Sequence, residues 1–116
     1  MARSDEAEQR AVIRANFDAA VNMTPAEIEA WLDTDQSRNV GFKPDGQGES
    51  VGHASGRRIV AILRKREAEL DDGDYAHMRK VTGYVRRHRA QQPENTVTSR
   101  WRYSLMNWGH DPIKEM

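Results

Sequence analysis

The chain has 116 residues, 37% of them hydrophobic and 31% charged, with 18 Lys and Arg balancing 18 Asp and Glu. This length fits one domain, with a small core inside extensive solvated faces. The lack of cysteine excludes disulfides, thiolate metal sites and a cysteine nucleophile.

No apolar run reaches the ~20 residues that a membrane helix needs, and residues 1–10 lack the apolar stretch of a secretory signal. The expectation is a cytoplasmic protein, nucleoid-associated or nuclear according to its source, with no membrane partner. The zero net charge hides an asymmetry. Residues 1–49 hold 5 Lys and Arg against 10 Asp and Glu, and residues 50–116 hold 13 against 8. A chain polarised in this way can show a basic face and stay soluble. The plainer reading is two solvated faces that pair with each other.

A first helix is predicted over residues 4–21. It is rich in Ala, with Ser4, Asp5 and Glu6 at its start, and Phe17 and Val21 one turn apart as anchors. Thr24-Pro25-Ala26-Glu27 is a capping box with proline at the first helical position. It opens a second helix over 25–34, with Ile28, Trp31 and Leu32 as its apolar stripe and Met23 as a staple onto Ile28. Residues 35–54 hold Gly41, Pro44, Gly46, Gly48 and Gly52 and read as one long loop, pinned by Val40, Phe42 and Val51.

A third helix is predicted over 55–70, capped by Ser55, with Ile59, Ile62, Leu63 and Leu70 inward and Arg66 on the same side. After Asp71-Asp72-Gly73-Asp74, the residues Tyr75, Met78, Val81, Val85 and His88 recur at helical spacing as the core face of a fourth. The short link between the two makes an antiparallel hairpin. A last short helix covers 99–107 with Trp101, Leu105 and Trp108 on one side. Gly109 ends it and Asp111-Pro112 blocks continuation. The expected fold is all-α: a compact bundle of four to five helices in a single domain over 1–116, with that hairpin at its centre, the Gly-rich loop, and a tail at 110–116.

Three stretches carry chemistry. In Ser50–Arg58, glycines and a helix N-terminus beside Arg57 and Arg58 suit one phosphate, through Ser55 and the amide of Gly56. It is neither a Walker loop nor a dinucleotide fingerprint, and the plainer reading is a helix cap at Ser55 with the glycines turning the chain. On the fourth helix, Arg79, Arg86 and Arg87 share a side, flanked by Lys80 and Arg89. Gly83 lies among them, one turn from Arg79 and Arg87, where a close neighbour would explain a glycine. With Arg57, Arg58, Arg64 and Lys65 of the third helix, these form a candidate cationic surface whose binding weakens with salt. In 100–110, Arg alternates with Trp and Tyr in a pattern suited to stacking. Core spacing claims Trp101 and Trp108, leaving Arg100, Arg102 and Tyr103 available. The four histidines, at 53, 77, 88 and 110, lack metal-site spacing, and no residue is marked as a nucleophile or paired acid. No metal, cofactor or catalytic activity is expected.

The segments Asn22–Glu27, Glu49–Val60, Tyr75–Val81 and Arg100–Pro112 resemble a family of small uncharacterised proteins of bacteria, notably actinobacteria, and of fungi. Its members form a domain of unknown function, some under the label "DNA-binding protein". The resemblance covers nearly the whole chain and its last segment is the most specific. It implies DNA as a partner and assigns no residues.

The leading expectation is a non-catalytic nucleic-acid-binding module that meets phosphates, duplex DNA first, through the cations named above. Nothing has the spacing of a sequence-reading helix-turn-helix. The rivals are a self-assembly or protein-interaction domain pairing acidic with basic halves, and a sensor of a small anion at residues 52–58.

Overall fold

The computed structural model describes residues 2–115. Among these there are six α-helices, α1 Ala2–Ala20, α2 Pro25–Leu32, α3 Asp35–Asn39, α4 Val51–Leu63, α5 Asp72–Arg89 and α6 Arg100–Asn107, with 3-10 turns at Glu67–Glu69 and Pro112–Glu115 and no strand. The fold is an all-α bundle, and α3 is the helix beyond the expected count. No helix among the described residues is long and apolar enough to cross a membrane.

Local chemistry sets most helix ends. At α2 the Thr24 hydroxyl accepts from the Glu27 amide at 3.1 Å, and the Thr24 amide donates to the Glu27 carboxylate at 2.9 Å. Such a cap contributes on the order of 1 kcal/mol. Asp71 and Asp74 form the same reciprocal pair at the start of α5. At the end of α6 the Gly109 amide donates to Met106 and the His110 amide to Leu105, a Schellman pattern. Gly109 takes φ +79°, where a side chain would also press on Val21 at 3.1 Å, so glycine is required there.

The segment expected as one long loop is partly helical. Thr34 caps α3, accepting from the Ser37 amide at 3.1 Å. Ser50 caps α4, accepting from the His53 amide at 3.1 Å. Ser55 is therefore inside α4 and is not its cap. Gly52 and Gly56, four residues apart, act as packing surfaces. A Cβ at Gly56 would lie 2.7 Å from both the Asn107 carbonyl and Leu32 Cδ2, and one at Gly52 would lie 3.0 Å from Trp108 Nε1. Their missing side chains let α4 close onto α2 and α6, and that contact offsets the helix-propensity cost of glycine. Of the expected loop pins, Val40 is buried and Val51 half-buried, but Phe42 is 72% exposed.

At its other end α4 stops at Leu63, seven residues earlier than predicted. Residues 64–71 carry the Glu67–Glu69 turn, so the link to α5 is longer than a tight hairpin connection. Arg66 is solvent-facing rather than on the core side. The two arms of the hairpin touch each other less than each touches another helix: α4 packs chiefly on α2 and α5 chiefly on α1. Arg10 reaches Asp72 at 2.5 Å and Arg14 donates to the Tyr75 hydroxyl at 2.8 Å across the α1–α5 seam. The core gathers Phe17, Ile28, Ile59, Met78, Val81, Val85, Trp101, Leu105 and Trp108, as the helical spacing required. Asn107, 1% exposed, is its polar hub: its carbonyl accepts from Trp31 Nε1 at 2.7 Å and from the Ser37 hydroxyl, and its amide donates to the Ser37 carbonyl at 3.0 Å.

Candidate nucleic-acid interface

The predicted cations divide sharply by location. On α4 and just beyond it, each is held by a carboxylate of this chain. Arg57 makes a forked contact with Glu49, which holds that carboxyl down at about 2, with His53 assisting. Arg64 pairs with Glu29. Arg58 and Lys65 converge on Asp74, at 3.4 and 2.7 Å. The Lys65 ammonium, backed by the Asp71 amide, pulls the nearly buried Asp74 below the ordinary carboxylate range against its burial.

Ser55 is 4% exposed and hydrogen-bonds with His77 Nε2 at 2.9 Å. Gly56 is buried within the helix. The expected phosphate cradle at residues 52–58 is thus filled by the protein itself.

The two arginines of α6 are also engaged. Arg102 forks onto Asp111 at 3.0 and 3.1 Å and donates to the Val97 carbonyl at 2.8 Å. Arg100 donates to the Asn39 carbonyl at 3.1 Å. Tyr103 lies against Trp31, ring centroids 5.3 Å apart, and Arg89 contacts Glu115 at 2.5 Å.

The face of α5 around Gly83 differs. Arg79, Lys80, Arg86 and Arg87 are all exposed, and among the described residues none has a carboxylate within 4.0 Å. At 100° per residue, Arg79 and Arg86 form one row and Lys80 and Arg87 a second, each spanning about 10 Å along the axis. Gly83 lies between the rows. The neighbour that a Cβ there would meet is the guanidinium of Arg87, 3.0 Å away. The Arg79 row borders a groove of about 600 Å³ shared with α1, where Asp5 and Glu8 stand across from Arg79 and Arg86 above Val12 and Ile13. The Lys80 row borders a smaller groove between α5, α6 and the segment that leads into α4.

Residues 16–106 match the model of a family described as "Protein of unknown function (DUF3140)". The chain belongs to that family. No curated protein and no solved structure matches it. The family match begins within α1 and runs nearly to the end of α6, so the whole cationic face of α5 lies inside the DUF3140 region.

Sequence reasoning missed two participants in this surface. Tyr84 stands beside the Lys80 row and stacks on Trp108, centroids 4.3 Å apart. Phe42, taken for a core anchor, is one of the few large exposed apolar residues. The signal available in sequence was its setting, Gly41-Phe42-Lys43-Pro44: an aromatic beside a lysine in a short turn-rich segment.

Proposed function

We propose that this chain is a non-catalytic nucleic-acid-binding module that contacts phosphates through α5, with duplex DNA as its first substrate. The observation that carries this reading is the exposed set Arg79, Lys80, Arg86 and Arg87, without carboxylate partners among the described residues, on a molecule that neutralises the cations of α4 internally. Guanidinium and ammonium groups left solvated in two parallel rows match a polyanion better than a single small anion. The contact set is narrower than the sequence suggested: Arg57, Arg58, Arg64, Lys65 and Arg102 serve ion pairs.

Binding to random duplex across a salt series tests this. About four phosphate contacts give a slope of log K against log salt near −3 to −4. Absence of affinity at low salt, or affinity indifferent to salt, removes the proposal.

A second reading has its own observation. The α1–α5 groove has an acidic wall, Asp5 and Glu8, and a basic wall, Arg79 and Arg86, over Val12, which is 58% exposed. Such a surface complements a second copy of itself. A dimer that sediments as such at low salt, dissociates at high salt and ignores DNA favours this assembly reading.

A further inference from the structure

The smaller groove has a volume of about 260 Å³, with Phe42, Val51 and Gly52 on one side, Tyr84, Ser104 and Trp108 on the other, and Lys80 and Arg87 at its rim. This is below the usual range of pockets for drug-sized molecules and suits one planar ring system.

Trp108 gives the groove its chemistry. It is only 4% exposed. The indole N–H groups of Trp31 and Trp101 donate at 2.7 Å to Asn107 and at 2.5 Å to the His88 carbonyl. That of Trp108 has no acceptor among the described residues. The space beside it is kept by Gly52, whose absent Cβ would stand 3.0 Å from Nε1. The indole lines the groove, so its N–H is available to a ligand that brings an acceptor. Phe42 closes the other side. It is 72% exposed, and its carbonyl is tied down by the Val51 amide at 2.8 Å. The rim supplies the Lys80 and Arg87 charges, which lack carboxylate partners among the described residues.

We infer that this groove receives one unpaired base of a nucleic-acid strand whose phosphates lie along the Lys80–Arg87 row. The inference rests on the phosphate-binding reading of α5. A base is planar and can stack against Phe42. Its ring nitrogens and carbonyl oxygens are acceptors for the Trp108 N–H. Each of the four bases carries such an acceptor, so the contact selects unpaired bases without selecting a sequence. An aliphatic or phenyl side chain of an acidic peptide would also fill the space, but would leave the Trp108 N–H unanswered.

The test compares a short oligothymidine with an abasic strand of equal length and charge, and with duplex, at one low salt concentration. The base-bearing strand binds about tenfold more tightly than the abasic one, within the range of one base–aromatic stack. Phe42→Ala, at an exposed position, abolishes that margin and leaves duplex affinity as it was. Gly52→Ala, which crowds the indole N–H, does the same. Equal binding of both strands, with salt dependence intact, overturns the base site and spares the phosphate face. No binding of any of the three overturns both. If an acidic Phe-containing peptide displaces the strand from the parent protein but not from Phe42→Ala, the groove belongs to a peptide and the inference falls.

Discussion

Arg89 Nη1 donates to Nε2 of His110 at 2.9 Å, while Nδ1 of the same ring lies 2.7 Å from the Ala20 carbonyl. A carbonyl only accepts, so Nδ1 carries the proton and Nε2 is the lone-pair side. His110 is 2% exposed. The Arg89 contact requires the neutral ring, because a second proton would place N–H against guanidinium. This joint ties the end of α5 to the end of α1 through the C-terminal segment.

Burial lowers the affinity of His110 for a proton, with Arg89 adding to the effect, against the Ala20 carbonyl, Glu115 and Asp111. Burial also lowers His77 and His88, and the His88 Nε2 has no hydrogen-bond partner among the described residues. The unfolded chain takes up these protons near the ordinary value of 6.5 and the folded chain only at lower pH. Between those values the unfolded state binds more protons, so stability falls as pH drops below about 6.5 and is unaffected by these groups above it. Thermal midpoints measured from pH 8 to 5 should be flat and then decline. His110→Gln should flatten part of that decline; an unchanged slope would mean that the ring titrates freely in the fold.

A second limb of pH dependence should appear in stronger acid. The Lys114 ammonium, 2.8 Å from both oxygens of Glu27, and the Thr24 amide hold that carboxyl at about 2. Arg57, then His53, does the same for Glu49. These depressed carboxylates stabilise the fold above their ordinary value of 4.5, and that contribution is lost as pH falls from 4.5 to about 2. Glu27→Gln keeps an acceptor for Thr24 but loses the ion pair. It should lower the midpoint at pH 7 slightly and reduce the loss on acidification, read in the same melting series.

Two glycines inside helices should respond oppositely to alanine. At Gly56 the new methyl would meet the Asn107 carbonyl and Leu32 at 2.7 Å, both fixed in the core. Overpacking there should cost about 1–3 kcal/mol. At Gly83 it would meet only the mobile end of Arg87 at 3.0 Å, so the helix-propensity gain should prevail and stabilise by about 0.5–1 kcal/mol. Urea denaturation of both variants decides it.

Asn107 should be the least replaceable polar residue of the core. Asn107→Leu strands the Trp31 N–H and the hydroxyl and carbonyl of Ser37, all satisfied by this one side chain. The loss should be about 2–4 kcal/mol in chemical denaturation, far above an ordinary surface change.

What the sequence disclosed was what neighbours in the chain decide. The Thr24–Glu27 cap, the core face of α5 and the Gly109 stop were legible because each depends on residues within a turn or two. The start of α4 was not. Gly52 and Gly56 look like loop residues until Trp108, Asn107 and Leu32 arrive from distant segments to fill the space above them. The candidate interface suffered the same way. Nothing local reveals that Glu49, Glu29, Asp74 and Asp111 would claim Arg57, Arg64, Lys65 and Arg102, or that the arginines around Gly83 would be left out. The unpartnered Trp108 N–H was hidden by its correct assignment to the core.

That division of cations gives the sharpest test of the interface. Arg79→Ala and Arg86→Ala remove exposed charges that have no ion pair within 4.0 Å among the described residues, whereas Arg57→Ala and Arg64→Ala remove charges already matched to Glu49 and Glu29. If phosphates meet α5, each α5 variant should weaken duplex binding and make the slope of log K against log salt shallower by about one. Each α4 variant exposes an uncompensated carboxylate on another face and should leave the slope unchanged. Isotherms at several salt concentrations separate the outcomes. Equal losses from both sets would mean that DNA responds only to net charge, and the face of α5 would then have no special role.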